Sequence, residues 1–504
     1  MDTAQPENAV SKGGESFPRT GGELVRSLSL FTTTMIVIGG VIGSGIFRKP
    51  GVMAGQVGSA ELLLLVWLMA GAFTLFGALT NAEIAAMIPE TGGQYIFFER
   101  IYGPFVAYLY GWAAFVVIQT ASITAVAYVF AEHAAEFVKL PELSGPMAAF
   151  SMHLPFIGDI MPFKEIGIKG LAAGLIAALT VINYLGARLG GVVQNIFTVA
   201  KVAAMLLLVL GAFLLPNGGR SANLTASSPL FHREGLGLWT AIAAALQGAF
   251  WAYDGWNKVT YLAGEVKEPQ RNLPRSLFLG MSLVTALYLL MNLAYAFVLP
   301  IDEMAQSKLV AADVAERCLR GGGRWIAVAV MISTFGTANA IILASARVYF
   351  AMARRNVFPI GLGAAHPRFH TPAASLIAQG TWGILLLFSG TFDTLTDTLI
   401  FVSWIFYAAG AAGVFVLRRK EPHSARPYKV PGYPYVPLLF VIFAGLYLAL
   451  TVYNDVAGYR QSVAAGKPAI INSAFGVFLV LMGAPIYFYY RKKSNRGPMP
   501  RQRA

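Results

Sequence analysis

The sequence predicts an all-α polytopic membrane protein of twelve transmembrane helices. Hydrophobic residues make up 56% of the 504 and charged residues only 12%, about half the charge of a soluble domain. Mean hydropathy is +0.60. Apolar runs long enough to cross about 30 Å of hydrocarbon recur along the whole length, and no stretch between them could hold a soluble domain. They begin near Leu30, Glu61, Gly103, Gly167, Gly191, Gly237, Arg275, Gly322, Pro372, Leu395, Pro434 and Ile470.

Taken in order, residues 1–26 are polar and lack the apolar core and cleavage site of a signal peptide, so they read as a disordered cytosolic tail. The bundle follows over residues 27–490. Its first span holds Ile36 to Phe47, apolar enough for a membrane yet carrying Gly39, Gly40, Gly43 and Gly45 where a helix should be firmest. In hydrocarbon an unpaired backbone group costs several kcal/mol, so a broken helix stands only beside a cavity or a bound solute. The connections near 132–165 and 216–236 are loop-sized and punctuated by Pro155, Pro162, Asn217, Gly218 and Gly219. In the fifth span, Lys201 lies too deep to snorkel and needs an acceptor, such as a carbonyl freed by a broken helix. An ammonium there would fill a cation site permanently and disfavour sodium; burial against a neighbouring loop is the plainer alternative.

The sixth span reads Gln247 to Asn257 and is interrupted in its middle like the first, five helices earlier. The spacing suggests an inverted repeat of five plus five helices, about 30–215 and 237–418, with two further helices at about 434–490 and the two breaks meeting at the bilayer midplane. Residues 491–504 form a second cytosolic tail. Arg418, Arg419, Lys420, Arg426 and Lys429 after the tenth span, and Arg491, Lys492 and Lys493 in the tail, place both termini in the cytosol of a plasma (inner) membrane. Arg48 and Lys49 run against this rule unless they line an outward vestibule.

The composition also excludes. The +13 net charge is scattered over short connections rather than gathered on one face, which disfavours nucleic acid. Cys318 is the only cysteine, so no internal disulfide or cysteine-based zinc site can form, and no cofactor is expected. Neither HExxH nor a P-loop occurs, and no nucleophile has an oriented base, so an enzyme or an ATP-driven pump lacks support. A solute sensor that binds without transporting stays open, to be separated by flux measurements.

The breaks suggest a ligand. Amides near Ser44, Gly45 and Ile46 at a helix N-terminus suit a carboxylate. Carbonyls near Val41 and Ile42, and near Phe250 and Trp251, suit an ammonium group, and together they would read the zwitterion of an amino acid. The competing explanation is that Gly39 and Gly43, spaced GxxxG, only allow close helix packing. Trp251 is either a gate over the solute or an ordinary packed indole. Asp254 costs at least ~3 kcal/mol in the membrane unless it faces a cavity, a proton or a cation, so it contacts a cationic substrate, titrates, or bonds the unwound backbone. Glu265 and Glu268 are expected at the cytosolic surface.

The chain resembles the amino acid, polyamine and organocation superfamily, and within it the L-type amino acid transporter branch, as a standalone prokaryotic member. The motifs are Ile42-Gly43-Ser44-Gly45-Ile46-Phe47, Gln194 to Lys201, Trp251-Ala252-Tyr253-Asp254-Gly255-Trp256-Asn257, Glu268 to Arg275, and Arg426-Pro427-Tyr428-Lys429-Val430-Pro431. The resemblance implies a LeuT-like fold whose first and sixth helices unwind around the α-carboxylate and α-amino groups. It implies substrate contacts at Ile42, Ser44, Gly45, Ile46, Phe250, Trp251 and Asp254, a gate at Trp251, and Lys201 in place of a sodium site. Phe401 and Trp404 match positions near the side-chain pocket, although they could equally be core aromatics, and Gln119, Ser122 and Thr124 would line it from the third helix. The implied activity is sodium-independent, alternating-access transport of L-amino acids, as exchange of neutral ones. The rivals are proton coupling, through Asp254, Glu83 or Lys201, and acceptance of cationic amino acids. No cysteine lies between Glu132 and Glu165, so no disulfide-linked heavy chain is expected.

Overall fold

The computed structural model describes residues 24–147, 150–154, 158–215, 219–225, 227–228, 234–388, 392–465 and 470–494. Most of both expected tails (1–23 and 495–504) and the turn formers Pro155, Asn217 and Gly218 lie outside the described residues.

Helices fill the described chain. The first expected span contains α1 (Leu30–Val41), whose Ser29 cap accepts from the Thr32 amide, and α2 (Gly45–Val57). It is followed by α3 (Ala60–Met87), α4 (Gln94–Tyr102) and α5 (Pro104–Ala113), which starts on a proline whose fixed φ suits the first helical turn. A π-helical turn at Ala114–Ile118 carries α5 into α6 (Gln119–Ala134). Next come α7 (Ile166–Tyr184), α8 (Ala187–Leu214) and α9 (Gly235–Tyr253), the last leading into a ten-residue 3₁₀ segment, Trp256–Glu265. The rest comprises α10 (Pro269–Val298), α11 (Ile301–Gln306), α12 (Val310–Cys318), α13 (Gly322–Arg354), α14 (Ala373–Leu386), α15 (Phe392–Lys420), α16 (Tyr435–Ala464), α17 (Asn472–Leu481) and α18 (Gly483–Ser494). The one departure from helix that the described residues pair as strands is a hairpin, β1 (Met152–Leu154) against β2 (Gly158–Ile160), in the connection after α6.

Eleven of these segments are long and apolar enough to cross a membrane. The expected ninth span appears as α14, whose 14 residues reach about 21 Å, short of a bilayer core. The outward faces are apolar: Ile196, Leu207 and Leu214 of α8 are exposed, whereas its Lys201 points inward and is fully buried. That inversion of the soluble pattern makes the chain a multi-span membrane protein. At its centre α13 packs on α6 and α8, and α10 packs on α1 and α3.

Helical backbone stops twice near the middle of the bundle. Ile42 turns extended (φ −71°, ψ 94°) before α2 starts, and Asp254 (ψ 151°) with Gly255 (φ 105°) ends α9. The interruptions meet at their glycines. A Cβ on Gly255 would come within 2.6 Å of the Gly40 carbonyl oxygen, and one on Gly45 within 2.7 Å of Ala252 Cα. Only glycine permits both approaches, and at Gly255 it also permits the positive φ.

Two latches flank these breaks. The Ser27 and Leu28 amides donate to the Glu265 carbonyl at 2.9 and 3.0 Å, while the Lys267 amide returns to Leu28. Contrary to the sequence expectation, the Glu265 carboxylate is not at the surface: it is 1% exposed and clamped by Arg347 Nε and Nη2 at 2.8 and 2.9 Å. A guanidinium from α13 supplies the compensation that burial demands. Glu83 is likewise buried, bonded by Arg418 at 2.7 and 2.9 Å and by the Val430 amide at 2.8 Å, so it ties α3 to the segment holding the Arg-Pro-Tyr-Lys-Val-Pro motif.

Candidate functional site

An α-helix leaves its first four amides and last four carbonyls unpaired within itself, so a break in a buried span creates both an anion-seeking and a cation-seeking end. The cation-seeking end of α1 is already filled. Lys201 Nζ lies 3.0 Å from Gly39 O, 2.6 Å from Ile42 O, 2.9 Å from Ser333 O and 3.0 Å from Thr337 Oγ1. The ammonium has three protons to donate, and these four oxygens surround it. The Ser333 hydroxyl adds bonds to Ile42 O and Gly43 O at 3.1 and 3.0 Å. Tyr288 OH reaches Ala252 O at 2.9 Å and Val41 O at 3.3 Å, joining the ends of α9 and α1. The carbonyls of Val41 and Ile42, which the sequence offers to a ligand ammonium, therefore already meet the protein's own donors.

The anion-seeking end stays open. A cavity lies against the first turn of α2, lined by Gly43, Ser44 and Gly45 on one side and by Trp251, Asp254 and Lys258 on the other, with Ser122 from α6 and Thr337 from α13 closing it. The space is tight: the centre of a water molecule has about 20 Å³ to move in, room for about one water. Trp251 also lines a second, larger cavity with Lys49, Gln56 and Gln247, so the indole stands between the two. Lys49, which ran against the charge rule, lines this second cavity.

Asp254 is not alone. Its Oδ2 lies 3.2 Å from Lys258 Nζ, one helical turn on, and its Oδ1 accepts from Tyr407 OH at 2.7 Å. Both charged side chains are almost fully buried. A buried carboxylate persists only with such partners, and here the pair presents no net charge to the cavity.

Of the expected site residues, Ser44, Gly45, Trp251 and Asp254 come together on the cavity, and Ile42 joins the Lys201 cage through its carbonyl. Ile46 is fully buried within α2. Phe250 and Trp404 pack against each other with tilted rings 4.0 Å apart, and against Tyr447 of α16 at 5.0 and 5.1 Å, outside the cavity lining, and Phe401 is buried outside it too. Of the three α6 residues expected there only Ser122 lines the cavity, joined by Val126 one turn on, since Gln119 bonds Tyr261 and Ser345, and Thr124 bonds Gly383. Sequence reasoning missed Lys258, Tyr407, Ser333 and Thr337. Lys258 had a signal, its i+4 spacing from Asp254, as had Ser333 and Thr337, two hydroxyls four apart in an apolar run.

Comparisons with known proteins give the family. A family model described as amino acid permease matches residues 28–480. The chain is 31% identical over 474 residues to the serine/threonine exchanger SteT of Bacillus subtilis, covering 93% of this chain and 98% of that protein. It is 32% identical to the human b(0,+)-type amino acid transporter 1, covering 84% of this chain and 81% of that one, and 30% identical to the mouse large neutral amino acids transporter small subunit 2, covering 97% and 84%. The chain, with its broken-span glycines, its caged lysine and a match over most of its length, belongs to the amino acid permease family.

Proposed function

We propose that this protein is a sodium-independent secondary transporter that exchanges neutral L-amino acids by alternating access. The observation that carries the proposal is the pairing of one filled helix end with one open one: Lys201 occupies the carbonyl end of α1, and the amides that begin α2 face the cavity. In this reading the substrate carboxylate docks on the Gly45 and Ile46 amides, and its ammonium group faces the end of α9 at Phe250 and Trp251. A sodium ion within about 3.5 Å of the resident ammonium would meet a repulsion of roughly 5 kcal/mol at an effective dielectric of 20. Sodium therefore has no place in the cycle.

We count α14 as a ninth, short membrane element, giving twelve in an inverted repeat with the first and sixth unwound. Both termini face the cytosol of the plasma membrane, and no disulfide-linked partner or chemical conversion of the substrate is involved. Trp251 closes the site from the vestibule side, and release to the cytosol requires the Glu265–Arg347 pair and the Ser27–Leu28 latch to part. Because the cavity admits little more than a water, substrate entry moves Trp251 or the α1–α2 break. The carboxylates that proton coupling would use, Asp254 and Glu83, both face cations, which supports exchange. SteT, a relative over nearly its full length, is named as an exchanger.

The test is counterflow in proteoliposomes loaded in turn with each of a panel of unlabelled amino acids. Uptake of a labelled neutral amino acid only into vesicles holding a neutral one inside supports exchange. Uptake into empty vesicles driven by an imposed pH gradient refutes it, and saturable binding without flux would make the protein a sensor.

A further inference from the structure

The ion pair beside the cavity bears on which side chains can enter. Asp254 alone, a carboxylate at the wall of a binding cavity, would be a ready partner for a cationic side chain. Here that partnership is taken. Lys258 Nζ sits 3.2 Å from Asp254 Oδ2, Tyr407 OH takes Oδ1 at 2.7 Å, and both Asp254 and Lys258 line the cavity. The lysine is held in place from two directions. It lies one turn after Asp254 in the 3₁₀ segment, and a Cβ on Gly255 would come within 2.8 Å of its Nζ, so the ammonium rests over backbone only glycine leaves bare. Lys258 is 2% exposed, so no solvent shell screens it from a second cation brought into the cavity.

We propose that Lys258 is a resident cation that occupies the Asp254 subsite and thereby excludes amino acids with cationic side chains. The inference rests on the amino acid reading of the cavity and deepens it, by making specificity a matter of charge rather than of size. A ligand ammonium drawn toward Asp254 has to approach Lys258 as well. Because Lys258 cancels the attraction of Asp254, that second ammonium is stripped of water with no free carboxylate to compensate it, a loss on the order of tenfold or more in affinity. With Lys258 made neutral, the same position becomes an unpaired carboxylate that gains from a cationic guest, and the preference inverts.

The experiment compares ligands equal in shape and different only in charge. L-homoserine and L-2,4-diaminobutyrate differ by a hydroxyl against an ammonium on the same two-carbon stem. Their binding to the purified full-length protein is read from ligand-induced thermal stabilisation, which does not depend on transport. In the wild-type protein homoserine should bind at least tenfold more tightly than diaminobutyrate, and in Lys258→Gln the ratio should reverse. Equal binding of the two by the wild-type protein overturns the inference without any variant being needed, so a poorly folding Lys258→Gln does not shelter it. A folded Lys258→Gln that keeps the wild-type ratio also overturns it, while leaving the amino acid reading intact. Binding of neither compound, nor of any other amino acid, overturns both. Binding with the expected ratio but no flux in vesicles upholds the charge filter and removes the transport reading alone.

Discussion

Replacing Lys201 by methionine keeps most of the side chain's length and removes its three donors. The cage then holds four carbonyl oxygens, those of Gly39, Ile42, Gly43 and Ser333, and two hydroxyls, Ser333 and Thr337, to serve them. The Thr337 hydroxyl already lies 3.1, 2.7 and 2.9 Å from Gly39, Ile42 and Ser333 oxygens, but a hydroxyl donates only once. The Ser333 carbonyl keeps its helical partner inside α13, so one of the Gly39, Ile42 and Gly43 carbonyls is left buried without a donor, a loss of about 1–3 kcal/mol. The damage is local, because the cage sets the angle between α1 and α2 and so the direction of the Gly45 and Ile46 amides. The assay is thermal unfolding of the purified variant with and without a neutral amino acid ligand. We expect a lower unfolding temperature and a loss of ligand-induced stabilisation together. A variant as stable as the wild type, and as responsive to ligand, would refute the argument that Lys201 holds the break.

Further outcomes follow from the same geometry. Gly45→Ala places a Cβ 2.7 Å from Ala252 Cα and Cβ, so α2 must move off α9; uptake should fall at least tenfold, with stability lowered by about 1–3 kcal/mol, as read by counterflow and thermal melts. Glu83→Gln should cost on the order of 2 kcal/mol by leaving Arg418 with a neutral partner, while the pH profile of uptake stays as in the wild type; a changed profile would return Glu83 to the list of proton carriers. Hydrogen bonds from Arg100 hold the Glu421 carboxyl below its ordinary value of 4.5. A depressed folded value means that this stabilisation is present above 4.5 and is lost as pH falls through the lowered value, so acid should destabilise the wild type more than Glu421→Gln in melts across that range.

The sequence made the breaks and the caged lysine legible for a physical reason: both are local violations of what hydrocarbon tolerates. Four glycines in an apolar span and a lysine at mid-membrane demand partners wherever the chain places them, and Lys201 and the α1 carbonyls satisfy each other. What remained hidden lies across the bundle. Tyr407 meets Asp254 from 153 residues away and Arg347 meets Glu265 from 82 away, separations on which periodicity is silent. Asp254 therefore read as a lone carboxylate, although Lys258 stood one turn further along. Phe250 enters the sequence reading through its backbone carbonyl and Trp404 through the family resemblance, with a core aromatic as the alternative; α16 sets Tyr447 against the Phe250 ring and Phe440 against Trp404, and that choice of neighbour is tertiary. The short α14 was masked by apolar residues that continue beyond the helical turn ending at Leu386.

The central claim is that a resident ammonium does the work of a coupling ion, and the most direct measurement is exchange of a labelled neutral amino acid in proteoliposomes with sodium replaced by potassium at constant ionic strength on both sides. We predict the same initial rate and the same requirement for internal amino acid in either salt. A rate that collapses without sodium, or that follows an imposed sodium gradient, would contradict the role given to Lys201.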